Sequence, residues 1–355
     1  MNELFLLCLR LGFTAFGGPA AHIAILENEV VEKRKWINSQ EFLELMAFTN
    51  IIPGPNSSEM VMAVGYHHSK RKGLIVAGFA FILPALLITS LITLFFISSD
   101  LSVLETLTLA VTPLLIVIIA SALIKLIKKQ EKSFLNIFLF ISALSLKLLN
   151  VNEIIIFILA GLLYLIADKL KTIKLLIVEP ISLFVIFLSF FKIGATLYGS
   201  GYVLMSYLKT EFVDTLRILT EQQITQAFAS GELTPGPVFT TATSLGIIMA
   251  NIPGGIIASI GIFIPSFTFM LLLMPFKKKL SSNQIIKKIL QGISIAALAI
   301  MAHVVIDLLL SISNNSILIS FLLINSLIVY KSKMNSMILL PINALIYFLV
   351  TALIK

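Results

Sequence analysis

Apolar residues fill this chain in long blocks, and the polar positions between them gather into short loops that hold most of the lysines. The blocks fall at about 4–26, 40–66, 73–97, 105–127, 133–149 and 152–168, and again at about 180–207, 221–250, 254–275, 283–311, 316–331 and 335–354. Most have the length at which a helix crosses the hydrocarbon core of a bilayer, about 17–25 residues. Two blocks are interrupted where no helix can pass: Ile51-Ile52-Pro53-Gly54-Pro55-Asn56-Ser57-Ser58 and Leu233-Thr234-Pro235-Gly236-Pro237. Proline lacks the amide proton a helix interior requires and turns its predecessor away from the helical region.

The two breaks belong to a repeat. Shifting the sequence on itself by 182 positions aligns Gly12 with Gly194, Thr14 with Thr196, Gly17 with Gly199, Glu29 with Glu211 and Gln40 with Gln222. The same shift superimposes Pro53-Gly54-Pro55 on Pro235-Gly236-Pro237 and continues to Gly73 with Gly255 and Phe81 with Phe263, after which one deletion aligns Pro84 with Pro265. The chain therefore divides into homologous halves, 1–168 and 179–355, joined by a linker at 169–178.

Composition and charge decide how the blocks are threaded. Of 355 residues, 58% are hydrophobic and 12% charged, and the mean hydropathy of +1.03 excludes an ordinary water-soluble domain. The net charge of +8 lies in loops between apolar blocks, with no basic, aromatic-interleaved face for nucleic acid. One cysteine, Cys8, excludes an internal disulfide and a thiolate metal cluster, no ligand spacing suggests another metal site, and no Walker-type loop or cofactor motif is present. The N-terminus lacks the features of a signal peptide. If every block crossed the bilayer, the basic loops of the two halves would lie on opposite sides. If each Pro-Gly-Pro block instead enters and leaves by the same side, each half has five crossings and the halves are inverted. About twenty Lys and Arg then face the cytoplasm, leaving only Lys147, Lys209, Arg217 and Lys355 on the other side and the N-terminus outside. The expected fold is an all-α polytopic membrane protein of two inverted repeats, each about five transmembrane helices plus a re-entrant Pro-Gly-Pro hairpin.

Broken segments in corresponding positions of two halves are the best sequence pointer to a transporter's binding site. After Pro53-Gly54-Pro55 a half-helix can restart with Asn56, Ser57 or Ser58 as its cap. The second half repeats this after Pro235-Gly236-Pro237, with hydroxyls at Thr240 and Thr241. Two half-helix N-termini opposed near the midplane would offer amide donors and about one unit of positive charge to an anion. Gly17 and Gly18, echoed by Gly199 and Ser200, allow close backbone approach, to a ligand or to another helix. Pro19, present only in the first copy, suggests a kink there. The matched small pairs Gly73/Ala77 and Gly255/Ser259 read as helix packing. Arg10 and Lys192 occupy equivalent positions in the first helix of each half. A buried cation there costs about 2.5–3.5 kcal/mol on insertion scales, so its duplication points to attraction of an anion, with snorkelling as the alternative. Glu232, opposite Asn50 in the repeat, could carry a coupling proton or hydrogen-bond a broken helix. His22 and Glu59 read more readily as satisfied structural groups than as titrating ones, and His303 with Asp307 as a local pair. Glu27 to Trp36 forms an interfacial stretch with Trp36 as headgroup anchor.

The first half carries Phe16-Gly17-Gly18-Pro19-Ala20-Ala21-His22-Ile23-Ala24, then Glu29, Arg34 and Trp36, then Pro53-Gly54-Pro55; the second carries Tyr198-Gly199-Ser200-Gly201 and Thr234-Pro235-Gly236-Pro237. In these residues the chain resembles the chromate ion transporter family, in its long two-domain form, over nearly its whole length. The resemblance implies a secondary transporter of a bacterial inner membrane that exports chromate and confers chromate resistance, with sulfate as the look-alike competitor or an alternative substrate. Ser200-Gly201 stands where the first half has Gly18-Pro19, so the two half-sites are not equivalent. Protons as coupling ion and a homodimer are both compatible with the sequence. An intramembrane enzyme acting on a lipid phosphate would need a convergent acid, base and nucleophile, and no His, Asp or Cys is duplicated at the breaks.

Overall fold

The computed structural model describes residues 1–15, 18–50, 52–98, 101–130, 133–149, 151–166, 182–198, 201–277, 280, 284–331, 342–343, 345–347 and 350. Gly17, Gly199, Ser200, the linker 169–178 and most of the predicted segment 335–354 lie outside them.

The first half contains α1 (Asn2–Thr14), α2 (Gly18–Glu27), a π turn (Asn28–Lys33), α3 (Ser39–Thr49), α4 (Asn56–Ser98), α5 (Leu101–Lys129), α6 (Phe134–Leu148) and α7 (Glu153–Ile166). The second contains α8 (Leu183–Thr196), a short 3-10 turn (Gly201–Val203) running into α9 (Leu204–Leu208), a π turn (Lys209–Thr215), α10 (Glu221–Leu233), a 3-10 turn (Val238–Thr240), α11 (Thr241–Leu273), α12 (Gln284–Ile312) and α13 (Ser316–Lys331). The expected block 4–26 is thus two helices, the first ending at the extended cap Ala15. Glu3 beside Arg34 at 3.3 Å and Arg10 beside Glu29 at 2.6 Å bring the far end of the block back next to its start. The single crossing expected there, and with it the count of five crossings per half, is corrected. The second half parts at the same place, between α8 and Gly201, without a proline to match Pro19.

The repeat is written into the backbone. Capping boxes Asn38/Glu41 and Thr220/Gln223 start α3 and α10, 182 residues apart. Among the described residues six have positive φ and form three pairs: Lys35 with Arg217, Gly54 with Gly236, and Lys70 with Asn251. The last pair is offset by 181, not 182. The single-residue deletion therefore falls between the Pro-Gly-Pro break and the following turn, where the second half begins its helix with a tighter 3-10 turn. This corrects the sequence register: Gly73 corresponds to Gly254 rather than Gly255, and Phe81 to Ile262 rather than Phe263.

The paired turns at Ser69-Lys70 and Ala250-Asn251 fold α4 and α11 into helical hairpins, with arms 56–68 and 71–98 in one and 241–249 and 252–273 in the other. Small residues permit the reversal: a Cβ on Gly73 would collide with the Gly65 carbonyl, and one on Gly254 with the Gly246 carbonyl. The packing pairs expected at Gly73/Ala77 and Gly255/Ser259 are in the structure Gly65 against Gly73 and Ala77, and Gly246 against Gly254 and Ala258.

The block expected at 40–66 is likewise two short helices, α3 and the first arm of α4, of about 16 and 20 Å. Their outer ends meet. The Trp36 ring lies 4.6 Å from His68, and Glu41 Oε1 lies 4.0 Å from His67 Nε2. Chain entering through α3 therefore returns beside its entry. Three described helices are long and apolar enough to cross a membrane: Asn56–Ile97, Val238–Phe276 and Gln291–Ile312. In the first two the crossing length belongs to the second arm. Those arms expose matching apolar stripes, Ile75, Phe79 and Leu91 in one and Ile256, Ile260 and Leu272 in the other, as a lipid-facing helix does.

The halves are interleaved. Besides packing on α1 and α8 respectively, α4 and α11 pack on each other, while α12 packs on α5, α6 and α7 and α13 packs on α5. Each half thus supplies part of the other's core.

Candidate functional site at the two breaks

In each Pro-Gly-Pro only the glycine has an N–H, and in each it is donated to the opposite half. Gly54 N–H bonds the Leu197 carbonyl at 2.9 Å, and Gly236 N–H bonds the Ala15 carbonyl at 3.0 Å. Ala15 and Leu197 are the C-caps of α1 and α8, both in extended conformation. An extended cap turns its carbonyl out of the helix ladder and makes it available. Gly54 and Gly236 have φ of 138° and 93°, values an L side chain rarely adopts. A Cβ on Gly236 would lie 2.8 Å from Ala85 Cβ, and one on Gly54 would collide with Ser266 Oγ and Glu59 Oε1. Ala85 and Ser266 are themselves repeat equivalents.

The half-helices restart as expected, but the cap is different. Pro55 O accepts from the Ser58 and Glu59 amides at 2.7 and 3.3 Å, so Asn56, Ser57 and Ser58 already lie within the first turn. The Asn56 side chain ties the two ends of the break together, donating to Asn50 Oδ1 at 2.6 Å and accepting from Thr49 Oγ1 at 2.9 Å. In the second half Pro237 O accepts from Thr240 N–H and Oγ1, and Thr241 Oγ1 donates to Val238 O. Thr89 and Thr93, from the second arm of α4, reach across to Thr234 and Ser244 at 3.2 and 2.9 Å.

The two starts face one cavity of about 10 Å³, room for one water-sized sphere, lined by His22, Pro55, Asn56 and Ser57 from the first half and Gly201, Pro237, Val238 and Phe239 from the second. Pro55, Asn56 and Ser57 are the repeat counterparts of Pro237, Val238 and Phe239. The opening amides of a helix have no intrahelical acceptor and, with the dipole, face an anion favourably. His22 is buried against Phe81 and interacts with the Ala15 backbone, and its Nδ1 has no partner. Glu232 Oε1 and Glu59 Oε2, each buried beside a break, also lack partners. Of the residues expected at the site, His22, Pro55, Asn56, Ser57 and Pro237 line this cavity; Pro53, Gly54, Pro235, Gly236 and Thr240 belong to the adjoining breaks, Glu232 precedes the second break, and Gly18 opens α2. Among the described residues no cluster of three His, Cys, Asp or Glu side chains could hold a metal.

Arg10 and Lys192 are placed differently from the expectation. Arg10 pairs with Glu29 at 2.6 Å and Lys192 with Glu211 at 2.5 Å, in matched bridges to the π turns, and both cations remain substantially exposed. Glu29 also meets Lys33 at 2.8 Å and Arg34. The Lys33 hydrogen bond, then those of Arg34 and Arg10, holds its carboxyl down from the ordinary 4.5 to about 2. The duplicated cations are thus paired with duplicated carboxylates in this structure.

A wider, open cavity of about 660 Å³ lies away from the breaks, between α6, α9, α10 and α12. Lys147 and Glu153 are paired on its wall at 2.6 Å, with Ser206 and Thr210 donating to the same carboxylate oxygen. Lys209 bridges Glu221 and Asp307, and His303 Nδ1 lies 3.3 Å from Asp307. The local His303–Asp307 pair was expected; the cavity was not, since its walls come from both halves.

The profile of the chromate transporter family matches residues 2–165 and 184–350, and the chain belongs to that family, whose curated members here are transport proteins and not enzymes. It is 26% identical to the chromate transport protein of Cupriavidus metallidurans over 87% of this chain and 82% of that one, and 28% identical to a probable chromate transport protein of Synechococcus elongatus over 87% and 84%. An uncharacterized transporter of Methanocaldococcus jannaschii is 26% identical over 98% of this chain and 94% of its own length. No solved structure matches. With its apolar, lipid-facing helices, the protein is a multi-pass membrane protein.

Gly236→Ala should lower the thermal stability of detergent-purified protein by about 1–3 kcal/mol, because it adds backbone strain and a steric conflict at the break. Gly161→Ala, whose Cβ would meet only side chains at 3.3 Å or more, should change it by less than about 0.5 kcal/mol. Equal transition temperatures for the two variants would contradict the strained cross-half contact.

Proposed function

We propose that the protein is a secondary transporter that exports chromate, or a similar tetrahedral oxyanion such as sulfate, across a bacterial inner membrane, binding it between the two Pro-Gly-Pro breaks. The observation that carries this reading is the pair of half-helix starts from opposite halves facing one buried cavity whose His22 has an unpartnered nitrogen. Relatives that bear the name chromate transport protein supply the substrate class. A cavity of about 10 Å³ holds no tetrahedral oxyanion, so this is a closed state, and binding requires the halves to separate at the breaks. Alternating access then follows from rocking one half on the other, which opens the cross-half hydrogen bonds at the breaks. A negative-inside potential drives a dianion outward by about 4.6 kcal/mol per 100 mV. This export underlies a role in chromate resistance.

The meeting of α3 with the far end of the first α4 arm supports a re-entrant hairpin at the Pro-Gly-Pro break. Inverted repeats at 1–168 and 179–355 remain the arrangement we propose, with α1 and α2 as a second returning hairpin rather than a crossing.

Two measurements test the proposal. Radiolabelled chromate should enter proteoliposomes saturably, sulfate should compete, and Gly54→Val should reduce the rate at least about a hundredfold while the protein stays folded. Undiminished flux in that variant would remove the site from the breaks. For topology, Glu32→Cys and Asp214→Cys, equivalent exposed positions in a Cys8→Ser background, should differ in sidedness. A membrane-impermeant thiol reagent added to intact cells should label only the second; labelling of both, or of the first alone, would contradict the inverted arrangement.

A further inference from the structure

Buried side-chain atoms without a hydrogen-bond partner concentrate at the breaks: His22 Nδ1, Ser58 Oγ, Glu59 Oε2 and Glu232 Oε1. Glu59 is the one whose surroundings define a role. It is fully buried in the first turn of the half-helix that faces the cavity, with its amide on the Pro55 carbonyl. Its side chain folds back over Gly54, so that Oε1 occupies the space a Cβ there would need. Oε1 accepts from Ser266 Oγ of the opposite half at 2.6 Å, and Oε2 accepts from nothing. Among the described residues no Lys, Arg or His forms an ion pair with it. The titratable groups facing this corner are Tyr198, from the end of α8, which interacts with it electrostatically, and His22 on the wall of the cavity; Glu232 lies beside the other break.

An ionised carboxylate in this position carries two penalties. It is a buried charge with an unpartnered oxygen and no counter-cation. It also places negative charge in the first helical turn, where it answers the same positive dipole end that an anion in the cavity would use. A proton on Oε2 removes both, leaving the Ser266 bond to Oε1 in place and the helix end free for a ligand. In the second half threonines stand at this place, Thr240 and Thr241 on either side of the deletion, both neutral and with their hydroxyls engaged by backbone carbonyls, Pro237 O and Val238 O. The first half-helix alone therefore has a switchable charge.

We propose that Glu59 carries a proton whenever an anion is bound between the breaks, so that binding in alkaline solution, where Glu59 of the free protein is ionised, takes up one proton and the two cross the membrane together. This rests on the anion site proposed above and refines its energetics: a dianion accompanied by one proton carries a net single negative charge. The membrane potential still favours export, with half the force, while an alkaline cytoplasm opposes it. The sign of the pH effect follows: apparent anion affinity rises as pH falls, up to tenfold per unit while one proton is taken up.

The test is isothermal titration of potassium chromate into the purified full chain at pH 8 and 9, in two buffers of different ionisation enthalpy, which together count the protons taken up. Wild-type protein should take up about one proton and bind up to tenfold more weakly at pH 9 than at pH 8. Glu59→Gln should bind without proton uptake and with the same affinity at both values. Chromate binding by wild-type protein with no proton uptake would overturn the proposal and leave the anion site standing, a result that does not depend on how the variant folds. Uptake that persists in Glu59→Gln would assign the proton elsewhere, to His22 or Glu232, and would also overturn it. Failure of folded wild-type protein to bind chromate or sulfate at all would overturn the site reading and this proposal with it.

Discussion

A peptide N–H buried far from water must find an acceptor, and the two breaks are built so that each has a single such donor to place. Both prolines of Pro-Gly-Pro lack an N–H, which leaves only the glycine's. That one donor is given across the molecule: Gly54 to Leu197 of the other half, Gly236 to Ala15 of the first. Helices α1 and α8 must end in extended caps to present those carbonyls, and the glycines must hold positive φ to reach them. Neither break is satisfied within its own half. The interleaving of α5, α6 and α7 with α12 and α13 puts the same dependence into the apolar core. Two halves that complete one another in this way form a contact with few intermediate arrangements, which suits a two-state gate.

The repeat is symmetric in backbone and asymmetric in chemistry. Caps, π turns, positive-φ residues and hairpin turns all recur in pairs. The polar side chains around the breaks do not. Asn50 stands in the first half where Glu232 stands in the second, and Glu59 where the second half has Thr240 and Thr241; Ser266 faces Gly54 where Ala85 faces Gly236. Each half thus has one carboxylic acid at its break, before the prolines in one and after them in the other. A symmetric scaffold can open to either side with similar energy, whereas acids placed differently in the two halves make the halves respond differently to a proton.

Much of this was legible in the sequence because it rests on residue types with hard backbone rules. Pro-Gly-Pro in an apolar block breaks a helix in any context, a shift of 182 brings the two breaks into register, and lysines avoiding one face imply the re-entrant hairpin that the Trp36–His68 and Glu41–His67 contacts support. What escaped was what long-range packing decides. A bond from Gly54 N–H to a carbonyl in Leu197 uses no side chain and leaves no trace in residue type. Ser266, 207 residues from its partner Glu59, reads as one more small residue in an apolar helix. Arg10 and Lys192 suggested anion binding because their repetition was visible, while their pairing with Glu29 and Glu211, also repeated, depends on how the π turns fold back. The position of the deletion was displaced because Gly73 has two glycines, Gly254 and Gly255, to align with.

The central claim, that the anion sits between the two breaks, is tested most directly by diffraction at the chromium absorption edge from crystals of the full chain grown with chromate. The account predicts an anomalous peak between Pro55–Ser57 and Pro237–Phe239, within hydrogen-bond reach of the opening amides of both half-helices. A chromium peak confined to the wide cavity between Lys147 and Lys209, with none at the breaks in protein that transports chromate, would contradict it.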